Sequence, residues 1–230
     1  MTPVLEVARL SFAFEAKRPV LRDISFAVGE GECVGIVGAN GAGKSTLLWC
    51  LLGLLKSRGT VRWFREAPAR DAVSRLGVVF QNPEDQLFMP TVMEDAALGL
   101  LNRGVPAEAA RRRAAATLEQ AGLEAVSGRP ASQLSLGQRK RAAIAAALAA
   151  SPELLILDEP TAELDGRSVR QLTAWLRDLA VTRLIASHHL EFLRAVCSRL
   201  LVLHDGRLIA QGPATEILGD QALLERAGLV

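Results

Sequence analysis

The eight residues Gly38-Ala39-Asn40-Gly41-Ala42-Gly43-Lys44-Ser45 fit the pattern GxxxxGK[ST], and Thr46 follows them. Such a run suits phosphate. Glycines let the backbone curl until its N–H groups point at phosphate oxygens, and a helix opening at Lys44 adds a favourable dipole. In that arrangement Lys44 reaches the outer phosphates and Ser45 ligates Mg²⁺. A second set lies far along the chain. Leu154-Leu155-Ile156-Leu157-Asp158-Glu159 is an apolar run ending in two acids. At the carboxyl end of a buried strand, Asp158 can hold a magnesium ion, mainly through water, and Glu159 can orient or deprotonate an attacking water. His188 follows a further apolar run, Leu184-Ile185-Ala186-Ser187, and so reaches the same edge. A metal reading of His188-His189 is rejected, because adjacent strand-end residues point apart and no third ligand has suitable spacing.

These residues need strands and helices to bring them together. Cys33-Val34-Gly35-Ile36-Val37 is a continuous apolar run, as expected for a strand covered on both faces. A helix is predicted from Lys44 to about Leu54. Leu5–Leu10 and Val20–Phe26 read as antiparallel strands. The run ending Gly77-Val78-Val79-Phe80 is a buried strand, and from about residue 89 to 150 the chain is mostly helical. Thr91-Val92-Met93-Glu94 is a capping box, Pro106 opens a second helix that ends near Gly122, and a third starts near Ser135. Beyond it a strand at 154–157, a helix at 167–180, a strand at 183–187 and a helix at 189–197 alternate, which implies a parallel sheet flanked by helices. His204-Asp205-Gly206-Arg207 reads as a hairpin turn.

Bulk properties narrow the function. The 230 residues carry 27 basic and 25 acidic side chains, a formal charge of +2. That balance gives no electrostatic argument for nucleic acid. The basic run Arg111-Arg112-Arg113 falls in helical composition and reads as a solvated face. Cys33, Cys50 and Cys197 are far apart and form no CxxC, so buried free thiols are expected. The opening Met1–Glu6 lacks the regions of a signal peptide, and the apolar run Ala142–Ala150 is far short of a membrane span. A soluble chain is expected.

One segment decides the class. Gln133-Leu134-Ser135-Leu136-Gly137-Gln138, followed by Arg139-Lys140-Arg141 and then by the Asp158-Glu159 strand, resembles the signature motif of ABC-type ATPases. The resemblance runs from Phe14 to about Pro213. It implies an α/β P-loop fold with a mostly parallel sheet, a small antiparallel N-terminal β-subdomain and a helical subdomain. The expected layout is one domain over 1–230, with the helical part at about 86–150 and short C-terminal helices at 213–230. It also implies roles. Phe14 resembles the aromatic that stacks on adenine. Asn40, Gly41, Ala42, Gly43, Lys44, Ser45 and Thr46 bind ATP. Ser45, Gln81 and Asp158 hold Mg²⁺. Glu159, His188 and Gln81 serve catalysis. Ser135, Gly137 and Gln138 contact ATP bound by a second ATPase subunit, and Asp165 lies in a loop at the interface of a head-to-tail dimer.

Three positions depart from the common pattern. Leu136 stands where glycine is usual, with the stronger backbone demand expected at the retained Gly137. His189 stands where an aspartate usually follows the histidine, and Phe14 replaces a frequent tyrosine.

The stretch Phe80-Gln81-Asn82-Pro83-Glu84-Asp85-Gln86-Leu87-Phe88, with Thr91-Val92-Met93-Glu94-Asp95 after it, resembles the ATPases of energy-coupling-factor and cobalt/nickel importers. Those dock on a transmembrane scaffold through helices carrying arginine. Glu84 and Asp85 would supply the matching negative charge. The resemblance therefore implies an ATP-hydrolysing subunit, peripheral on the cytoplasmic face of the membrane. Its partners are a scaffold subunit and a substrate-binding membrane subunit, with cobalt or nickel as first cargo. A vitamin importer, for biotin for example, is the nearest alternative. A soluble non-transport ABC ATPase is a further one, although those usually carry two cassettes or a long coiled-coil insertion.

Overall fold

The computed structural model describes residues 3–15, 18–65 and 72–230. Two sheets organise the chain. The larger has six strands in the order β5-β6-β7-β3-β8-β9: β3 (Cys33–Val37), β5 (Leu76–Val79), β6 (Leu154–Asp158), β7 (Thr182–Ser187), β8 (Arg199–His204) and β9 (Arg207–Pro213). Strands β5, β6, β7, β3 and β8 pair in parallel, and only β9 runs against its neighbour. Every residue of β3, β6 and β7 is buried, which accounts for the apolar runs Cys33–Val37, Leu154–Leu157 and Leu184–Ala186 at their centres. The β8–β9 hairpin turns at Asp205 and Gly206, both with positive φ, as a two-residue hairpin turn requires.

The smaller sheet is antiparallel, in the order β2-β1-β4, from β1 (Pro3–Glu15), β2 (Arg18–Gly29) and β4 (Arg58–Trp63). β1 is longer than its apolar alternation suggests and its pairing with β2 is repeatedly bulged. β4 was not expected. Of its six residues only Trp63 is fully buried, so it lacks an apolar face that sequence could reveal.

Helix α1 (Lys44–Leu51) ends earlier than predicted, because Gly53 takes a left-handed conformation. Helices α2 (Val92–Leu101), α3 (Ala107–Gln120) and α4 (Leu136–Ala149) pack on one another through Ala96, Ala97, Leu100, Ala110, Ala114, Leu118 and Ala142 to Ala145. Small side chains allow close approach of the axes. Helices α5 (Gly166–Arg177) and α6 (Leu190–Val196) cover the sheet, and α7 (Ala214–Ile217) and α8 (Gln221–Arg226) finish the chain. The three cysteines are buried and free, as expected, but two of them meet: Cys33 Sγ lies 3.6 Å from Cys197 Sγ. Among the described residues no helix is long and apolar enough to cross a membrane.

Candidate functional site

The carboxyl ends of β3, β6 and β7 meet at one edge of the large sheet, where the parallel α/β rule places ligands. A cavity of about 720 Å³ opens there. Its lining includes Asn40, Gly41, Gly43, Lys44, Ser45, Thr46, Gln81, Glu159 and His188. The sheet thus brings together residues more than 140 positions apart in sequence, the distance spanned by the register Val37↔Ser187. Ala42, within the loop, is buried and does not line the cavity, and neither does Phe14. The Phe14 ring is 64% exposed and meets Phe12 edge-on at 4.9 Å.

The loop geometry follows from its glycines. Gly43, the N-cap of α1, has φ 104°, and a Cβ there would come within 2.9 Å of the Leu21 side chain. Both facts exclude larger residues. Lys44 then turns back over the loop. Its Nζ donates to Gly38 O at 2.8 Å and lies 3.1 Å from Glu159 Oε1. Glu159 Oε2 sits 3.0 Å from His188 Nδ1. One carboxylate therefore bridges the loop lysine and the strand-end histidine. Glu159 itself has φ 45°, uncommon outside glycine. Its N–H donates to Ala186 O at 2.8 Å, and its C=O accepts from Ala162 N at 3.1 Å and Lys140 Nζ at 3.0 Å.

Asp158 is buried. Burial raises its carboxyl above the ordinary range, while the Ser45 hydroxyl, Lys44 and Lys140 pull it back. Its Oδ1 is enclosed and has no hydrogen-bond partner in the protein. An orphaned carboxylate oxygen beside a hydroxyl, with Gln81 on the cavity wall, is an all-oxygen donor set that fits Mg²⁺.

Ser135, Gly137 and Gln138 lie away from this cavity, at the start of α4. Ser135 and Gln138 form a complete capping box: Gln138 N donates to Ser135 Oγ at 3.3 Å, and Ser135 N to Gln138 Oε1 at 2.9 Å. The Thr91 cap is different. Thr91 Oγ1 accepts from Glu94 N and donates to the Glu94 carboxylate, so that side chain does not reach back to the backbone as a full box would. Gly137 is an ordinary helical residue whose constraint is proximity: a Cβ would fall 2.6 Å from Ser168 Oγ. Ser168 is held in turn by Asp165, the N-cap of α5. Leu136 points into a second cavity of about 800 Å³, with Trp49, Leu54, Phe80, Glu84, Asp85 and Arg139. Glu84 and Asp85 form an exposed turn capped by Asn82, and Glu84 Oε1 lies 3.4 Å from Arg139 Nη1. Ser45, Gln81 and Glu163 line both cavities. Sequence reasoning assigned no role at this site to Thr161, Val20 and Lys140, and it placed Glu163 only within the loop Ala162-Glu163-Leu164-Asp165 that resembles a dimer-interface segment. Lys140 lies in the basic run after Gln138.

Residues 21–162 match the family model described as ABC transporter. The energy-coupling factor transporter ATP-binding protein EcfA of Methanothermobacter thermautotrophicus is 39% identical, over 98% of this chain and 76% of its own length. The cobalt import ATP-binding protein CbiO of Rhodobacter capsulatus is 39% identical, over 100% of this chain and 85% of its own. Among solved structures, cbiO1 from Clostridium perfringens, part of the ABC transporter complex cbiONQ, superposes with a TM-score of 0.86 at 32% identity, covering 100% of this chain and 96% of that one.

Proposed function

Because the chain belongs to the ABC transporter family and is an ATPase coupled to transport, we propose that it energises an energy-coupling-factor type importer from the cytoplasmic face of the membrane. In this reading ATP occupies the cavity above α1. Backbone N–H groups of Asn40, Gly41 and Gly43 to Thr46 take its phosphates, Lys44 leaves Glu159 to neutralise them, and Phe14 supplies an exposed aromatic ring for the base. Ser45, Asp158 and Gln81 are the residues that would hold Mg²⁺. When bound, that ion neutralises charge developing on the phosphates. Glu159 takes the proton of a water that attacks the terminal phosphorus, as the bond to the bridging oxygen breaks to give ADP and phosphate. His188, 3.0 Å from the carboxylate, orients it. Ser135, Gly137 and Gln138 face the nucleotide of a second ATPase subunit arranged head to tail, and Asp165 lies at that interface. Their distance from their own cavity and the exposure of Ser135 and Asp165 support this.

One observation carries the transport reading: the acidic groove at Glu84 and Asp85 shares Ser45, Gln81 and Glu163 with the nucleotide cavity. A cationic helix of a membrane scaffold seated there would touch the walls of the hydrolytic site. The name of EcfA supports the energy-coupling-factor class, and the name of CbiO supports import and favours cobalt as cargo over a vitamin. The test is uptake of labelled cobalt, nickel and biotin by cells with and without an active copy of the chain, paired with co-purification from membranes. Loss of metal uptake alone is expected. Loss of biotin uptake alone would overturn the cargo, and no membrane partner would overturn the importer.

A further inference from the structure

We infer that Lys140 is a positioning residue for Glu159, and that it links each nucleotide site to the signature segment of the same subunit. This rests on the proposed roles of Glu159 and of the Ser135 segment. Lys140 is 4% exposed, an unusual position for an ammonium group. Burial lowers its pKa, while Glu163, Glu159 and Asp158 act in the opposite sense. Its Nζ donates to the main-chain oxygen of Glu159 at 3.0 Å.

That oxygen belongs to the residue with φ 45°. A conformation of this kind persists only where its surroundings over-determine it. Three groups do so here. Ala186 O on β7 takes the Glu159 N–H, Ala162 N closes the following turn on its C=O, and Lys140 holds the same C=O from α4. The bend they hold aims the Glu159 carboxylate at Lys44 and His188.

Of the three, Lys140 alone comes from the helix that starts at the Ser135 cap. Lys140 is five residues past Ser135, about 7.5 Å along the axis. When the start of α4 moves toward or away from the other subunit's nucleotide, Lys140 carries that movement to Glu159 of its own site. In a head-to-tail dimer, occupancy of one site would then be felt as geometry of the base in the other.

Lys140→Met keeps length and removes the donor, whereas Lys140→Gln keeps a neutral donor. Steady-state hydrolysis and ATP affinity of the full chain are measured for both, with thermal melts. The methionine variant is expected to lose at least tenfold in kcat with Kd for ATP within twofold of wild type. The glutamine variant should stay within threefold of wild-type kcat at a similar melting temperature. Lys140→Ala reads the same loss if the methionine variant does not fold. Wild-type kcat in the methionine or alanine variant would overturn the inference, as would a fall in kcat that tracks melting temperature equally in all variants. Glu159→Gln, assayed alongside, separates the readings. Retained turnover there removes Glu159 as the base, whatever the Lys140 variants do.

Discussion

Replacing Gly137 by alanine tests what this glycine is for. The added Cβ would lie 2.6 Å from Ser168 Oγ and 3.0 Å from Ser168 Cβ. Normal contact between carbons is about 3.5–4.0 Å, so the overlap is of order 0.5–1 Å. Ser168 has little freedom to retreat, since its hydroxyl donates to Asp165 Oδ2 and its N–H to Asp165 Oδ1. Overpacking of this kind costs about 1–3 kcal/mol. Against it stands helix propensity, worth no more than about 1 kcal/mol for glycine to alanine. The net loss is about 1 kcal/mol, or roughly 2–4 °C in melting temperature for a chain of this size. The decisive arm is Ser168→Gly, which removes both clashing atoms. In that background only the propensity term survives, so Gly137→Ala should raise the melting temperature. Differential scanning calorimetry on the four proteins of this cycle measures the change of sign. An alanine effect of the same sign and size in both backgrounds would refute the close-approach argument.

Glu159→Gln should bind ATP at least as tightly as wild type, since Lys44 no longer has to leave a carboxylate 3.1 Å away, while hydrolysis falls by orders of magnitude and closed dimers accumulate on size exclusion. His188→Ala should lower kcat by about 10²-fold or more in steady-state assays with ATP affinity retained, as expected for a group that orients the base. Charge reversal at Glu84 and Asp85 should reduce co-purification with the membrane scaffold and leave nucleotide binding intact; the same yield of complex would end the docking proposal. The Glu32–Arg199 pair predicts a pH effect. Burial alone would raise Glu32, but hydrogen bonds from Arg199 and Gly29 outweigh it and hold the carboxyl below its ordinary range. A depressed folded pKa gives stability that is present above the unfolded value, near 4.3, and lost as pH falls through the folded one. Arg199→Met should therefore be less stable than wild type at pH 7 in urea unfolding, and the gap should close below about pH 4.

The chemistry was more legible than the packing. Residues 38–46 and 154–159 announce themselves because a strand end, a turn and a charged residue must be consecutive to do this work. The resulting cavity holds most of the residues expected there. β4 was hidden because exposed Arg58, Gly59 and Thr60 precede its one buried residue, Trp63. The glycine demand at Gly137 was read as backbone conformation, whereas it comes from Ser168, a neighbour only after α4 and α5 have packed. The Cys33–Cys197 contact and the Lys140–Glu159 bond are likewise products of tertiary placement, which one-dimensional spacing does not carry.

The sheet order has a consequence for biosynthesis. Strand β3, which leads into the phosphate-binding loop, is flanked by β7 and β8 and by no strand that precedes it. On the ribosome it therefore waits unpaired for about 150 further residues, roughly eight to thirty seconds at ordinary elongation rates. During that time its backbone N–H and C=O groups have no partner strand and its apolar side chains no sheet to join, and the nucleotide cannot yet help the chain fold. The element that defines the site emerges early, and the site closes only after β7 and β8 have followed it.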